Sequence, residues 1–306
     1  SLLQAARRWP GPAQVLVADN GSSDDSVARL QARFPEVEVL ELGHNFGFPG
    51  GCNRAIEAAR HERIILLNSD IGVDPDFIAP LLPYLEQPDV FAATPRMFDE
   101  DGREVTGSAI ALEFPQGSVV QRWAIDDGVD LVDHPCPTLY TSGAAMAFRR
   151  SVFLELGGFE ELYAPYYWED TDLGYRAWKR GLRSIYEPAS RVYHEGSATM
   201  KKGGIDRNYF MRRNLYLFLW TNLTDRPLLR AHLLRLPLVL LGFVRRQVRD
   251  GNVAWWRALT WELRALLVAL KRVPAVLRRR RIEAHHRRWT DSEVLRRSDA
   301  LRNESK

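Results

Sequence analysis

The chain reads as an α/β fold, a mostly parallel sheet flanked by helices, with a helical region appended at its C-terminal end. Short apolar runs alternate with helix-period segments through the first two-thirds, and polar loops follow the runs. The charge balance changes sharply near Asp225. From Arg226 onward there are 20 Lys and Arg against 7 Asp and Glu (+13), leaving 22 against 32 before it (−10). Two regions with different partners are implied.

An opening helix ends near Trp9. A strand over 14–18 runs into the polar turn Asp19-Asn20-Gly21-Ser22-Ser23, and a helix over 24–34 follows. A strand over 37–41 leads to a glycine-rich loop, 43–51, and a helix over 52–60. The apolar run Ile64-Ile65-Leu66-Leu67 then delivers Asn68-Ser69-Asp70 to the carboxyl edge of the sheet, where ligands of such sheets bind. Pro75 suits the first turn of a helix capped by Asp74 and ending by Glu86. A strand over 90–94 and a hairpin across 99–102 follow. Residues 106–137 lack periodicity, the pattern of a mobile substrate loop. A strand over 140–149, a short helix over 151–156 stopped by Gly157-Gly158, and a helix from Asp170 to Arg180 come next. Short strands around 184–186 and 191–194 precede a chain that stays helical beyond Asp206.

With 306 residues, 45% of them hydrophobic, the chain can build a sizeable core. Cys52 and Cys136 form neither a disulfide framework nor a zinc spacing, which points to a reducing compartment. Residues 1–10 contain Arg7 and Arg8 and no long apolar core, so no secretory signal is read there. The longest apolar stretch, 236–244, includes Pro237 and Gly242 and is far short of the ~20 residues of a spanning helix.

Two clusters carry the chemistry. Asp70 at a strand's end offers hard oxygen to a divalent ion, which can bridge the phosphates of a nucleotide; the plain alternative is a turn cap. Glu169-Asp170-Thr171-Asp172 puts three carboxylates in four positions. One suffices for a helix start, and three repel one another, so a metal, a cationic partner or a substrate hydroxyl is expected nearby. In the first turn Asp170 is kept ionised by the helix dipole, as a general base must be. His194 alone reads as a hydrogen-bonded core or surface residue; placed beside Asp70, its neutral imidazole would complete an Mg²⁺ or Mn²⁺ site whose other ligands are phosphate oxygens and water. The loop Asn45-Phe46-Gly47-Phe48-Pro49-Gly50-Gly51-Cys52-Asn53 offers glycines for close approach and a helix N-terminus for phosphate. Asp19, ending the first strand, is placed to bond a base or ribose.

Jointly these motifs resemble family 2 glycosyltransferases of the GT-A fold, in particular bacterial rhamnosyl- and galactofuranosyltransferases, over 1–222. Val17-Ala18-Asp19-Asn20-Gly21-Ser22 is similar to the family's D-N-x-S, and residues 45–53 to its N-x-G-F-x-G-G-x-N loop. Asn68-Ser69-Asp70 stands where the family carries D-x-D. Gly157-Gly158-Phe159 and Trp168-Glu169-Asp170-Thr171-Asp172-Leu173 are similar to its G-G-F…E-D-x-D-L region. The resemblance implies a metal-dependent, inverting transfer from a nucleoside-diphosphate sugar. Asp19, Asn20, Ser22, Asn45, Gly47, Gly50, Gly51, Asn53, Asn68 and Asp70 would bind the donor. Asp70 and His194 would hold the metal, Asp170 would act as base, and Glu169 and Asp172 would orient the acceptor or fix the helix. Two departures stand out. Asn68 replaces the first acid of D-x-D, and the family's opening strand is absent, the chain starting in the helix after it. The competing class is a non-catalytic, membrane-bound nucleotide- or glycan-binding protein on the same scaffold.

Residues 223–306 carry dense Leu, Val and Trp with arginines at intervals over 228–248 and 253–277. Trp256, Leu259, Leu263, Leu266, Leu267 and Leu270 form a stripe beside Arg257, Arg264, Lys271 and Arg272. Such helices either pack on the catalytic domain or another subunit, or lie on an anionic bilayer, with Arg278 to Arg281 adding attraction. No nucleic-acid module accompanies them. The expectation is a peripheral enzyme at the cytoplasmic face of the bacterial inner membrane, with a glycan or lipid-linked acceptor; oligomerisation is left open.

Overall fold

The computed structural model describes residues 1–99, 101–104, 110–123, 133–194, 204–251 and 253–298. Its central sheet has six strands: β3 (Arg63–Leu67), β9 (Ala145–Arg149), β5 (Val90–Asp99), β10 (Arg183–His194) and β4 (Ile71–Val73) in that order, with β8 (Cys136–Thr138) also on β10. The expected α/β architecture is present. The sheet itself is mixed rather than mostly parallel: β3, β5 and β10 run one way, but β9 threads antiparallel between β3 and β5, and β4 and β8 run antiparallel to β10. Alternating apolar runs specify strands without specifying their direction.

β1 (Leu16–Asp19) and β2 (Glu38–Glu41) pair in parallel as a separate two-stranded sheet. Among the described residues β1 and β3 share no hydrogen-bonded ladder, and each keeps one edge unpaired. Helix α1 (Leu2–Arg8) packs Ala5 with Val73 and Phe77 beside the central sheet, and α2 (Ser26–Arg33) connects β1 to β2.

Several boundaries differ for local reasons. Helix α3 (Gly47–Ala58) begins five residues early, taking Pro49 and the paired glycines into its first turns, where a proline lacking N–H is tolerated. The helix expected at Pro75 is confined to α4 (Ile78–Leu81) and a 3₁₀ turn, Leu82–Glu86, with Pro83 interrupting the α pattern. The two late strands are one strand, β10, with a register shift between Glu187 and Arg191. Before the shift it pairs β8; after it, β4. Within 106–137 the expected unstructured loop contains the hairpin β6 (Ile110–Glu113) and β7 (Val120–Trp123), whose Ile110 and Leu112 are buried; residues 106–109 and 124–132 lie outside the described residues.

The C-terminal helices are α7 (Gly204–Asn222), α8 (Arg226–Gly251), α9 (Trp255–Lys271), α10 (Val273–His286) and α11 (Asp291–Ser298). They are sutured to α6 (Glu169–Lys179), the helix carrying the acidic run. Asp291 accepts hydrogen bonds from Lys179 Nζ (2.6 Å), Tyr175 OH (2.8 Å), and the backbone N–H groups of Thr224 and Asp225 (2.6 Å each). Arg180 pairs with Glu283 (2.9 Å), and Trp289 stacks near Trp178. Of the four arginines 278–281, Arg279 bonds Leu156 O and pairs with Glu160 and Glu283, while Arg280 bonds Trp220 O and Leu223 O. Only Arg278 and Arg281 face solvent.

Helix α9 is amphipathic in an unusual sense. Ala258, Glu262, Ala265 and Ala269 face the protein, and Trp256, Leu263, Leu267 and Leu270 face outward, Leu267 at 58% exposure. Helix α8 likewise exposes Leu234 (81%) and Leu238 (68%). The nine-residue run read as too short to span lies inside this 26-residue helix, which by length and composition is apolar enough to cross a membrane.

Candidate active site

The register of β10 brings His194 opposite Ile71, one residue from Asp70. His194 Nε2 lies 3.6 Å from Asp70 Oδ2, and each side chain keeps about a quarter of its surface open (25% and 26%). One ion bonded to both at ordinary lengths would hold them about 3–4 Å apart, so the pair fits a shared divalent cation with further ligands from elsewhere. Among the described residues no group of three or more His, Cys, Asp or Glu side chains gathers as a metal site.

The segment Gly143-Ala144, between Asp70 and Asp170 in sequence, bonds both the strand end that leads to Asp70 and the Asp170 carboxylate. Asn68 N donates to Ala144 O (2.9 Å), and the neighbouring Gly143 N donates to Asp170 Oδ2 (3.2 Å). Asp170 Oδ1 accepts from Thr171 N (2.7 Å) and Thr171 Oγ1 (3.3 Å). At Gly143 a Cβ would stand 3.1 Å from the Phe48 ring, so any side chain there would have to push that ring aside.

The three carboxylates of α6 have three environments. Asp170 is partly open; burial raises its pKa, and the hydrogen bonds from Gly143 and Thr171 oppose that by stabilising the ionised form. Glu169 is buried, its Oε2 without a partner among the described residues. Burial first, and the Asp170 charge second, push it to about 8. The helix-dipole expectation for Asp170 therefore needs amendment: burial leaves its pKa raised on balance, and the hydrogen bonds from Gly143 and Thr171 limit that rise by stabilising the charged form. Asp172 is fully buried and saturated by Arg176 Nε (2.7 Å), Tyr163 OH (2.9 Å) and Asn222 Nδ2 (2.7 Å). Of its two expected roles, its contacts are those of a residue fixing the helix.

The donor-loop residues converge, largely on one another. Asp19 accepts from Ser22 N through both oxygens (3.3 and 3.2 Å), closing its turn. Asn20 takes Phe46 N on Oδ1 (2.9 Å) and gives Nδ2 to Gly47 O (2.9 Å), while Asn45 Oδ1 caps Gly47 N (2.9 Å). Gly51 makes room for the Asn20 carboxamide, to which a Cβ would approach within 2.8 Å, and Gly50 for Phe46 and Arg54. Asn53 exchanges hydrogen bonds with the Phe159 backbone (2.8 and 2.9 Å), joining α3 to the Gly157-Gly158 turn. These glycines serve close packing between loops, and the carboxamides of Asn20 and Asn53 are engaged within the protein.

The sequence reading missed Gly143, the packing role of Phe48 and the clamp on the loop before α6. Tyr167 and Trp168 both have φ of 76°, a strained conformation for such residues. Asn214 of α7 holds them, its Nδ2 donating to Tyr163 O (2.7 Å), Tyr166 O (3.0 Å) and Tyr167 O (2.8 Å). Phe48 N donates to Pro165 O (2.7 Å), tying this loop to α3. The signal for Gly143 lay in Thr141-Ser142-Gly143, a turn composition inside what read as a continuous strand.

This architecture, with its strand-edge carboxylates, defines a glycosyltransferase of the GT-A type. The chain belongs to glycosyl transferase family 2, whose family model matches residues 1–157. Among curated relatives, the N-acetylglucosaminyl-diphospho-decaprenol L-rhamnosyltransferase of Mycobacterium tuberculosis is 27% identical over 279 residues, 84% of this chain and 81% of that protein. The O-antigen biosynthesis protein RfbC of Myxococcus xanthus is 27% identical over 265 residues; the match takes in 82% of this chain and only 20% of RfbC. Among solved structures, S. aureus TarS 1–349 in complex with UDP-GlcNAc superposes with a TM-score of 0.56 at 16% identity, covering 99% of this chain and 87% of that one. GalNAc-T7 with UDP, GalNAc and Mn²⁺ gives 0.53 at 14% identity; the match covers 83% of this chain and about half (48%) of GalNAc-T7. Both structural likenesses establish the shared fold.

Proposed function

We propose that the protein transfers a sugar, rhamnose or another hexose, from a nucleoside-diphosphate sugar to a hydroxyl of a lipid-linked or growing bacterial surface glycan, with inversion at the anomeric carbon. The observation that carries this is the junction at Gly143-Ala144, which bonds Asp170 on one side and the Asn68 strand end, next to the Asp70–His194 pair, on the other. Asp170 takes the acceptor proton as the hydroxyl oxygen attacks the anomeric carbon. The bond from that carbon to the diphosphate breaks, its electron pair leaving on the phosphate oxygen. Asp70 and His194 would hold Mg²⁺ or Mn²⁺, which when bound offsets charge on a diphosphate. Asp19 and Ser22, at the end of β1, would face the nucleoside. The naming of a relative for rhamnosyl transfer to a diphospho-decaprenol acceptor supports the choice of sugar and acceptor class.

In this reading residues 1–222 form the catalytic domain and 223–306 bring it to the cytoplasmic face of the inner membrane. The support is the outward leucine and tryptophan face of α8 and α9, flanked by exposed Arg257, Arg264 and Lys271. The function is tested by nucleoside-diphosphate release and product mass across a panel of nucleotide-sugar donors, with and without Mn²⁺ or Mg²⁺. Sugar transfer from at least one donor is expected, lost on chelation. Absence of release from every donor and metal would favour a binding protein on this scaffold instead.

A further inference from the structure

Hairpin β6–β7 carries one polar side chain to the first turn of α6. Along β7, Val120 and Arg122 are exposed, so strand alternation turns Gln121 to the opposite, inward face. Its Nε2 donates to Thr171 Oγ1 (3.0 Å), and the same hydroxyl lies 3.3 Å from Asp170 Oδ1. The chemistry of the three groups fixes the direction of this chain of hydrogen bonds. An amide nitrogen can only donate and an ionised carboxylate can only accept, so the single hydroxyl hydrogen of Thr171 points at Asp170. Of the donors to Asp170 among the described residues, Gly143 N and Thr171 N are fixed by the backbone, and the hydroxyl alone can turn away.

The hairpin that presents Gln121 is itself held in place. Ile110, Leu112 and Val119 pack into the core that contains Tyr140, Trp168 and Phe218. At its tip the turn Pro115–Gly117 passes through Gln116 and Gly117 with φ of 52° and 88°, and Gly117 O accepts from Nδ1 of the buried His232 on α8 (2.7 Å). His232 Nε2 accepts from Trp220 Nε1 (3.1 Å); an indole N–H can only donate, so the ring is neutral with its proton on Nδ1. Burial lowers the His232 pKa and favours that form. A Cβ on Gly117 would stand 2.9 Å from Ala231 O, so the turn lies directly against α8. The reach of Gln121 to Thr171 is therefore set by tertiary packing.

We propose that Gln121 is a positioning residue for the transfer: it orients the Thr171 hydroxyl to donate to Asp170, and so holds that carboxylate ionised and aimed at the acceptor hydroxyl. This placement rests on the reading of Asp170 as the base. Glu169 on the same helix, with the ion-paired Asp172 beyond it, and the buried Tyr140 also face Asp170, and Cys52 of α3 faces Glu169. None of these is altered in the variants below, so their influence cancels in the comparison. The full chain is labelled with ¹³C at its aspartate carboxyls, and the Asp170 signal is identified by its loss in Asp170→Asn. Its titration is then followed by NMR in the wild type, Gln121→Leu, Gln121→Glu, Thr171→Val, and the double variant of Gln121→Leu with Thr171→Val.

Gln121→Leu should raise the Asp170 pKa by roughly 0.5–1. Gln121→Glu should raise it further, because a carboxylate takes the hydroxyl hydrogen for itself and adds a negative charge. With Thr171→Val in place, Gln121→Leu should add nothing, since the group it acts through is gone. The acid limb of the kcat/KM profile should move to higher pH along with the titration. An Asp170 titration unmoved in both Gln121→Leu and Gln121→Glu, or a rise that persists undiminished in the double variant relative to Thr171→Val, overturns the proposal. Because the carboxylate is read without turnover, a protein that transfers no sugar would refute the base reading, and the same spectra would still decide the link from Gln121 to Asp170.

Discussion

Helix α6 buries Asp172, Arg176 and Lys179 and gives each an oppositely charged partner, whereas α9 buries alanines and leaves Trp256, Leu263, Leu267 and Leu270 facing outward. In α6 the charges of Asp172, Arg176 and Lys179 are tolerated in the interior because each has an opposite partner, and they anchor the helix that carries Asp170. In α9 the small residues allow close approach to α7 and α8, and the large ones stay exposed. The difference teaches that similar helices can be specified in opposite ways: one buries charge within a polar network, the other buries alanines and leaves its large apolar side chains exposed, the feature on which the proposed membrane contact rests.

That contrast can be broken at its strongest point first. Asp172→Ala strands the Arg176 guanidinium in the core and removes the partner of Tyr163 and Asn222, so a loss of about 3–5 kcal/mol is expected in urea unfolding. A loss below ~1 kcal/mol would show that the network does not hold the helix.

Glu169→Gln sharpens the same side. Below the ordinary value of 4.5 the carboxyl is neutral in folded and unfolded chains alike; between 4.5 and about 8 the unfolded chain ionises while the folded one keeps its proton. The stability this contributes is therefore present at low pH and lost as pH rises through about 8. The variant should lack that slope, on the order of 5 kcal/mol across the window, in denaturation curves recorded at pH 4.5, 6 and 8. Parallel slopes in the two proteins would refute the assignment of the proton to Glu169.

The smallest effect on stability belongs to α9. Leu263→Ser with Leu267→Ser should change the unfolding free energy by less than ~0.5 kcal/mol per site, because both side chains are already exposed. Binding to phosphatidylglycerol vesicles should nevertheless weaken roughly tenfold or more, since each leucine would lose its burial in the bilayer. Unchanged vesicle binding in flotation assays would remove the membrane from the account.

The strand ends were legible from sequence because an apolar run followed by Asn68-Ser69-Asp70 fixes where a buried strand stops. Strand direction was not, because β9 reads the same in either orientation, and its antiparallel course is set by partners far away in the chain. The acidic run was legible as a cluster, but the division of labour within it was not. Whether Glu169, Asp170 or Asp172 is open, proton-bearing or ion-paired depends on Gly143, Arg176 and Asn222, brought there by tertiary packing. The outward stripe of α9 was visible as a period. Which side of the helix met the protein was decided by alanines that a hydrophobic pattern does not weight.

The most direct test is Asp170→Asn, comparing sugar transfer with donor binding in the same preparation. Transfer should fall by about 10²–10⁴-fold, the range of a lost general base, while the affinity for the nucleotide-sugar stays within a few-fold of wild type by calorimetry. Turnover at the wild-type rate in this variant would contradict the account.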